Sequence, residues 1–448
     1  MRKYITLFAA LLLAASLQAQ TFQQAFFLDG YRLGYRYNPA FQNQEDFLSV
    51  GQYENQVRNN FGAASFLYPR GDEVVTAFHP SVSDSEFLGS LNDDNYLTGS
   101  INLNLVSYGW RKDEAYHTLE ANARVLYSAS FPKEIFTILK VGTGDTRYDL
   151  SGFSLGGNAM VELAYGYSRK LSDILSVGAR AKLLVGIDAL NYRISRFNLA
   201  FTEEYYRADI EADLDLTSRW SKIRPNDEGY LDLTKLSAKD RWRLPSGAGL
   251  AVDLGVVVTP LEGLTLSASL LDLGGVFWYY GNTGRSQGSV TFAGLENLSL
   301  NEIQNGNIKD QFNDELDQLL SSLKLKSVSS RKALEMIPFN VNLGAKYELP
   351  FYRPLAIGIT GNYLNMKGMN YKEVRGALAW NPREWLGVTV NAGIGSYGLV
   401  WGAALNAAYK RFRITVGYSD GFGGTIPYTS TPLKPNNKVV TAGLTYDL

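Results

Sequence analysis

The chain has 448 residues, of which 45% are hydrophobic and only 19% charged, with 43 Gly, 28 Tyr, 22 Phe and no Cys. Its 43 Lys and Arg stand against 44 Asp and Glu, so no net field draws it to nucleic acid. The missing thiols exclude disulfides, thiolate metal sites and lipid attachment at a cysteine, and the charge-poor, Gly-rich and aromatic-rich balance points to β-structure.

Residues 1–19 read as an export signal. Arg2 and Lys3 form a short basic region, Tyr4 to Leu17 an apolar stretch, and Gln18-Ala19 lead to a cleavage point before Gln20. The apolar stretch falls short of the roughly 20 residues that a membrane helix needs. No later run approaches that length, so a mature chain that enters a membrane enters it as a barrel.

From there the sequence repeats a period of two. Val57 to Phe66 reads as the first crossing; Ile101, Leu103 and Leu105 then pair with Leu119, Ala121, Ala123 and Val125. Asn158 to Gly186 is a hairpin about Arg169 to Asp173, with Leu163, Leu183 and Ala181 on the lipid face and Glu162, Arg180 and Lys182 on the polar face. Tyr192 to Phe201 and Arg207 to Leu216 form a weaker pair. Alternation resumes around turns at Thr259–Gly263, Pro350–Pro354, Asn381–Trp385 and Lys410-Arg411, and it closes on Thr441 to Leu448.

Strands of about ten residues, aliphatic in the middle, with Tyr167, Trp380, Trp385, Tyr409 and Tyr446 near their ends, fit a membrane-crossing barrel. The expected fold is therefore all-β, a transmembrane antiparallel β-barrel over residues 56–448. It has 14 strands if the weak pair stays outside the bilayer and 16 if it crosses. The short turns fall at one end, as periplasmic turns do. The long segments Tyr68–Ser100, Tyr127–Asn158, Thr217–Ser246, Leu273–Pro338 and Asp420–Lys438 fall at the other, as external loops do.

Two resemblances carry further expectations. Asn38-Pro39-Ala40, within FFLDGYRLGYRYNPAF, and the Asp-Leu-Gly segments at Asp253 and Asp272 resemble barrels related to the long-chain fatty-acid outer-membrane transporters. SFLYP (Ser65 to Pro69), HPSVSDSEFLGSL (His79 to Leu91) and YGYSRKLSDILSVGARAKLLVG (Tyr165 to Gly186) resemble, over essentially the whole mature chain, a family of uncharacterised Bacteroidota outer-membrane proteins. The first resemblance implies an N-terminal plug over residues 20–55 and a small apolar ligand. It transfers no ligand-contact residue. Thr441, Gly443, Tyr446 and Leu448 resemble the C-terminal signal read by the barrel-assembly machinery. Together these place the protein among the lipids of a Gram-negative outer membrane.

The chemistry-bearing residues are few. Glu120, Arg124, Glu162, Arg180, Lys182, Glu373 and Arg375 are candidates to line the lumen, where an ion-pair cluster would narrow or fill it. Asp209, Glu211, Asp213 and Asp215 share one strand face. They form either an acidic lumen wall, a loop site for a hard cation, or, the favoured reading, a solvated external extension. The two histidines, His79 and His117, sit beside loops and give little support to a Ser-His hydrolase. Gly142-Thr143-Gly144-Asp145 is a turn signal rather than a phosphate loop. Phe312, Leu316, Leu319, Leu320 and Leu323 recur at helical spacing in the longest external segment and fit a helix that caps the barrel, docks a partner or sits on lipid, the cap being the plain choice. No enzyme activity, cofactor or metal is expected. The leading function is a plugged barrel that moves a small apolar molecule, and the alternative is a non-conducting scaffold for a secretion or surface partner.

Overall fold

The structure, a computed structural model, describes residues 23–142, 146–202, 205–218, 221–238, 245–292, 324–366, 369–421 and 434–448. Fourteen strands form a closed ring. They are β1 Phe47–Asn59, β2 Asp94–Lys112, β3 Ala115–Pro132, β4 Ser154–Ser172, β5 Leu175–Phe201, β6 Gly247–Leu261 and β7 Leu264–Tyr280. The ring continues with β8 Phe339–Glu348, β9 Leu355–Met366, β10 Met369–Arg383, β11 Leu386–Gly395, β12 Gly398–Tyr409, β13 Phe412–Gly421 and β14 Asn436–Asp447. Every neighbouring pair is antiparallel. Closure comes from β1, which pairs with β2 on one side and β14 on the other, Phe47 facing both Gly109 and Asp447.

The alternation that built the expectation also decides which side chain faces where. Along β5, Arg180, Lys182 and Leu184 are buried inward while Ala179, Ala181 and Leu183 are exposed outward. The outward set continues around the ring through Leu119, Leu250, Leu343, Ile359 and Val390. An apolar belt of this extent is incompatible with water on all sides and matches a bilayer. Aromatic side chains gather on this surface near the short turns, where Phe412 meets Tyr446 and Trp110 stacks on His117 at 5.2 Å. His117 Nδ1 also lies 2.7 Å from the Tyr165 hydroxyl, so this histidine belongs to the aromatic girdle.

One end carries the tight connections Lys112–Ala115, Ser172–Leu175, Leu261–Leu264, Arg383–Leu386 and Tyr409–Phe412. At the other end the strands rise unevenly, β5 having 27 residues and β8 only 10. The weak pair resolves here: beyond the barrel β5 continues against Tyr206–Ser218, which in turn pairs with Asn282–Phe292, so neither is an extra crossing. The count is fourteen, not sixteen. Two outer connections are tighter than expected, since Met366 pairs with Met369 and Gly395 with Gly398. The loop between β1 and β2 builds its own apolar core from Phe61, Tyr68, Val82, Phe87 and Leu91, joined by Phe136 of the helix Lys133–Val141. Within it the helix Asp84–Leu88 is capped by the Ser83 side chain, which accepts from Glu86 N. The expected helix around Phe312 to Leu323 and the turn residues Thr143 to Asp145 lie outside the described residues.

The plug boundary needs correction. Residues 47–55 belong to the wall, because β1 begins at Phe47, and the expected first crossing at Val57–Phe66 starts ten residues too late. Gly51, at φ +73°, sits where the register shifts between Val50 and Tyr53. That bulge breaks the alternation of Leu48 and Val50 from the residues after it, and so hid the strand.

Residues 23–46 instead pack inside the ring. Phe27, Leu33, Tyr35 and Tyr37 form a core with inward Phe47, Tyr116, Ala356, Ala379 and Ala404. Burying one such large side chain is worth about 1.5–3 kcal/mol, so a few of them hold the segment firmly.

Candidate lumen site

Asn38-Pro39-Ala40 crosses the inner wall at β5 to β7. Asn38 Nδ2 donates to Ser267 Oγ at 2.8 Å and to Val256 O at 3.0 Å, while Asn38 Oδ1 accepts from Ala40 N at 2.9 Å. The wall admits this backbone because two paired glycines face it. A Cβ on Gly178 would stand 2.1 Å from Pro39 O, and one on Gly255 2.0 Å from Asn38 Oδ1. At the short-turn end the segment is tied by Lys346 to Asp29 at 2.8 Å and by Arg32 to Glu45 at 2.7 Å and Asp447 at 2.6 Å.

Above the Asn-Pro-Ala crossing lies a buried ion network on five adjacent strands. Five of the seven expected lumen residues meet in it: Glu120 and Arg124 of β3, Glu162 of β4, and Arg180 and Lys182 of β5. Arg180 pairs with Glu120 and, at 2.7 Å, with Asp253; Lys182 reaches Asp253 at 2.8 Å and Asp272 at 2.6 Å. Arg124 pairs with Asp272 at 2.9 Å and approaches Glu162 at 3.8 Å, and Lys182 lies 3.9 Å from Glu162. The N-terminal segment joins in, with Tyr35 donating to Glu120 at 2.8 Å and Arg36 3.9 Å from the same carboxylate.

Asp253 and Asp272 were not foreseen as site residues, although they open the two Asp-Leu-Gly segments. The register between β6 and β7 shifts between Val252 and Leu254, Asp272 adopts φ +63°, and its N–H donates to Asp253 Oδ1 at 2.7 Å. This bulge aims both carboxylates at Lys182, which they share, with Arg180 on the Asp253 side and Arg124 on the Asp272 side. Two like motifs on neighbouring strands were the available signal.

Glu373 and Arg375 do not join that network. They form a second cluster on β10, where Arg375 holds Glu373 through Nε at 2.5 Å and Nη2 at 2.9 Å, and reaches Asn391 at 2.8 Å and Ser419 at 2.6 Å. Tyr371 donates to Glu373 at 2.5 Å, and the Arg58 guanidinium stacks over the Tyr371 ring at 4.5 Å.

The acidic row lies on Tyr206–Ser218, in the sheet that extends beyond the barrel, its other face burying Ala208, Ile210, Ala212 and Leu214. Each carboxylate faces an arginine: Asp209 with Arg207 at 3.0 Å, Glu211 with Arg196 at 3.6 Å, Asp213 with Arg285 at 3.0 Å, Asp215 with Arg331 at 3.0 Å. The row is thus an ion ladder. The Arg207 hydrogen bonds hold the Asp209 carboxyl below the usual range, whereas burial pushes Asp215 up. Among the described residues no group of three His, Asp or Glu side chains could hold a metal ion. His79 Nδ1 lies 2.8 Å from Ser81 Oγ on an exposed turn.

Two cavities occupy the lumen above the N-terminal segment. The inner one, about 110 Å³, is lined by Arg36, Tyr37, Glu54, Arg124, Lys182 and Asp272 among others. The outer vestibule, about 570 Å³, is lined by Tyr96, Thr98, Arg193, Asp213, Asp215 and Arg331 among others. Along β1, Arg58 stands between them, two residues beyond Gln56 of the inner lining and paired in register with Thr98 of the outer. Tyr397 meets Tyr96 at 5.8 Å and Tyr371 at 5.4 Å, which narrows the lumen at this level.

The C-terminal candidates lie in β14. Thr441 is buried inward, Gly443 packs against Gln52, Tyr446 meets Phe412 on the outer surface, and Leu448 N donates to Asp46 O at 3.0 Å.

A profile described as "Family of unknown function (DUF5723)" matches residues 39–419. No curated protein matches the chain. Among solved structures, the Pseudomonas putida toluene transporter TodX is 9% identical with TM-score 0.45, covering 96% of this chain and 94% of that one. A Pseudomonas aeruginosa FadL homologue is 12% identical with TM-score 0.45, covering 96% and 99%. The translocator domain of the autotransporter NalP from Neisseria meningitidis is 8% identical with TM-score 0.34, covering 91% and 90%. At such scores the fold rests on the strand pairing described above.

Proposed function

We propose for this chain, which belongs to the family of unknown function DUF5723, the role of a transport barrel of the Gram-negative outer membrane, gated by its N-terminal segment. One observation carries the reading: residues 23–46 occupy the lumen beneath two stacked cavities, so displacing that segment opens the inner cavity toward the short-turn end. The export signal and the apolar belt support the location. Thr441, Gly443, Tyr446 and Leu448 serve, on this proposal, as the signal for the barrel-assembly machinery, and no catalytic role is assigned.

The cargo follows from the lining. A small apolar solute finds support at the outer mouth, where the loop core leaves Phe78 and the adjoining helix leaves Leu139 and Val141 exposed. The lumen below presents charge, which favours a polar solute on the deeper path. The scaffold reading keeps one supporting observation, the ion network of Glu120, Glu162, Arg180, Lys182, Asp253 and Asp272, which fills part of the lumen.

Planar-bilayer conductance separates the two. Removing Gln20 to Glu45 spares β1, and spares Asp46, whose side chain accepts from Arg111 N. Transport predicts steps that appear on this deletion, and a full-length chain that stays silent when Gln23→Cys is cross-linked to Asn342→Cys, residues 3.2 Å apart through their side-chain amides. Silence of the deletion variant, with heat-modifiable barrel mobility retained, favours the scaffold.

A further inference from the structure

Three groups that line the inner cavity from the N-terminal segment and β1 are left unused by the surrounding network. Among the described residues the Tyr37 hydroxyl has no hydrogen-bond partner although the residue is only 2% exposed, and Arg36 Nη1 is likewise buried without one. Among the described residues the Glu54 carboxylate makes neither hydrogen bond nor ion pair; Arg36 and Arg124 act on it only through space. All three side chains line the same space of about 110 Å³.

The neighbours cannot satisfy them. Arg124, Lys182 and Asp272 are paired with one another, and Glu162 accepts from Asn122 at 3.2 Å. Glu54 therefore remains as an unmatched acceptor of positive charge, and the Tyr37 hydroxyl with Arg36 Nη1 as unmatched donors. Buried groups of this kind cost free energy until a partner arrives. A cation alone leaves the two donors unserved, and an anion alone leaves Glu54 unserved.

We infer that this cavity is a binding site for a small zwitterion, with an ammonium set against Glu54 and a carboxylate received by Tyr37 and Arg36. A volume of about 110 Å³, below the roughly 150 Å³ of an apolar cavity that holds benzene, suits an occupant of a few heavy atoms, the size of the smallest α-amino acids. Apolar lining from Leu33, Leu126 and Leu271 leaves room for hydrogen or a methyl group as its side chain. The N-terminal segment supplies the carboxylate side of the site and β1 the ammonium side, so displacing the segment takes the site apart.

Equilibrium binding to the detergent-purified full chain tests this independently of transport, since no flux is measured. The probes are glycine, acetate and methylammonium. Glycine is expected to bind at least about tenfold more tightly than either singly charged probe, the worth of one charge-assisted hydrogen bond. Glu54→Gln weakens glycine by about tenfold and leaves acetate unchanged; Tyr37→Phe weakens glycine and acetate and leaves methylammonium unchanged. This crossed pattern is one that general misfolding does not produce. The inference is overturned by wild-type protein of heat-modifiable mobility that fails to bind glycine, by methylammonium matching glycine, or by glycine affinity indifferent to Glu54→Gln.

Discussion

Arg32 donates to Asp447 at 2.6 Å across 415 positions of sequence, joining the segment inside the barrel to the strand that closes it. Asp447 also accepts from Arg413 at 3.3 Å, so one carboxylate holds a wall cation and a segment cation together. Replacing Arg32 by Met keeps the apolar stem and removes the tie. Labelling of Gln23→Cys by a membrane-impermeant maleimide is expected to rise at least about tenfold in this background, as the loss of a hydrogen bond to a charged group implies. Unchanged labelling would show that apolar packing alone seats the segment. The absence of native cysteines makes the readout clean.

Gly178 tests the same seating from the wall. Gly178→Ala places a methyl group where Pro39 O now lies, and the obstacle is backbone. Barrel assembly is expected to survive, with spontaneous conductance more frequent than in the parent. Gly376→Ala, whose added Cβ has Ala392 O at 3.9 Å as its only neighbour within 4 Å, serves as the control and is expected to stay quiet.

Ala181 faces outward between two inward cations. It lies six residues beyond Leu175, the first residue of β5, hence about 15 Å from the turn at about 3.3 Å per residue and a tilt of about 40°. That depth is near the middle of a band about 25 Å tall. Ala181→Arg is expected to cost about 2–4 kcal/mol in equilibrium unfolding from lipid vesicles. Wild-type stability in that variant would reverse the assignment of inside and outside.

Asp253 accepts from both Arg180 and Lys182 while fully buried. Asp253→Ala takes one carboxylate from each of two buried cations, leaving Arg180 to Glu120 and Lys182 to Asp272, and is expected to destabilise the barrel by about 3 kcal/mol. Asp209→Ala, at the solvated ladder, is expected to cost under about 1 kcal/mol by the same unfolding assay. Equal losses at the two positions would mean that the network is open to water.

Much of the wall was legible because its chemistry repeats at the period of the strand. Leu163, Leu183 and Ala181 against Glu162, Arg180 and Lys182 announce both the strands and their faces, and Asp173 with its neighbours announces the turn. Where geometry departs from that period, the signal fails. Gly51 shifts β1 by a bulge and moves its start out of view, and the bulge at Asp253 and Asp272 assembles a site from residues that look like turn punctuation. The split of Glu373 and Arg375 from the other lumen charges was invisible for another reason. Alternation says that a side chain points inward but not which part of the circumference it shares. Likewise Glu54, Tyr37 and Arg36 come together only through the path of the N-terminal segment, which has no period to read.

The same path bears on how the molecule folds. Gln23, Asp29 and Arg32 take partners 319, 317 and 415 positions away, so the contacts that fix them to the wall are long-range. Contacts of such separation form late, because chain closure precedes any gain from them. Phe26, Phe27, Tyr35 and Tyr37 thus precede the strands in sequence yet find their places only once the ring is complete. Until then they are adhesive surface with nowhere to go. A variant that slows the closure of the ring by β14 is accordingly expected to prolong the exposure of a segment it never touches.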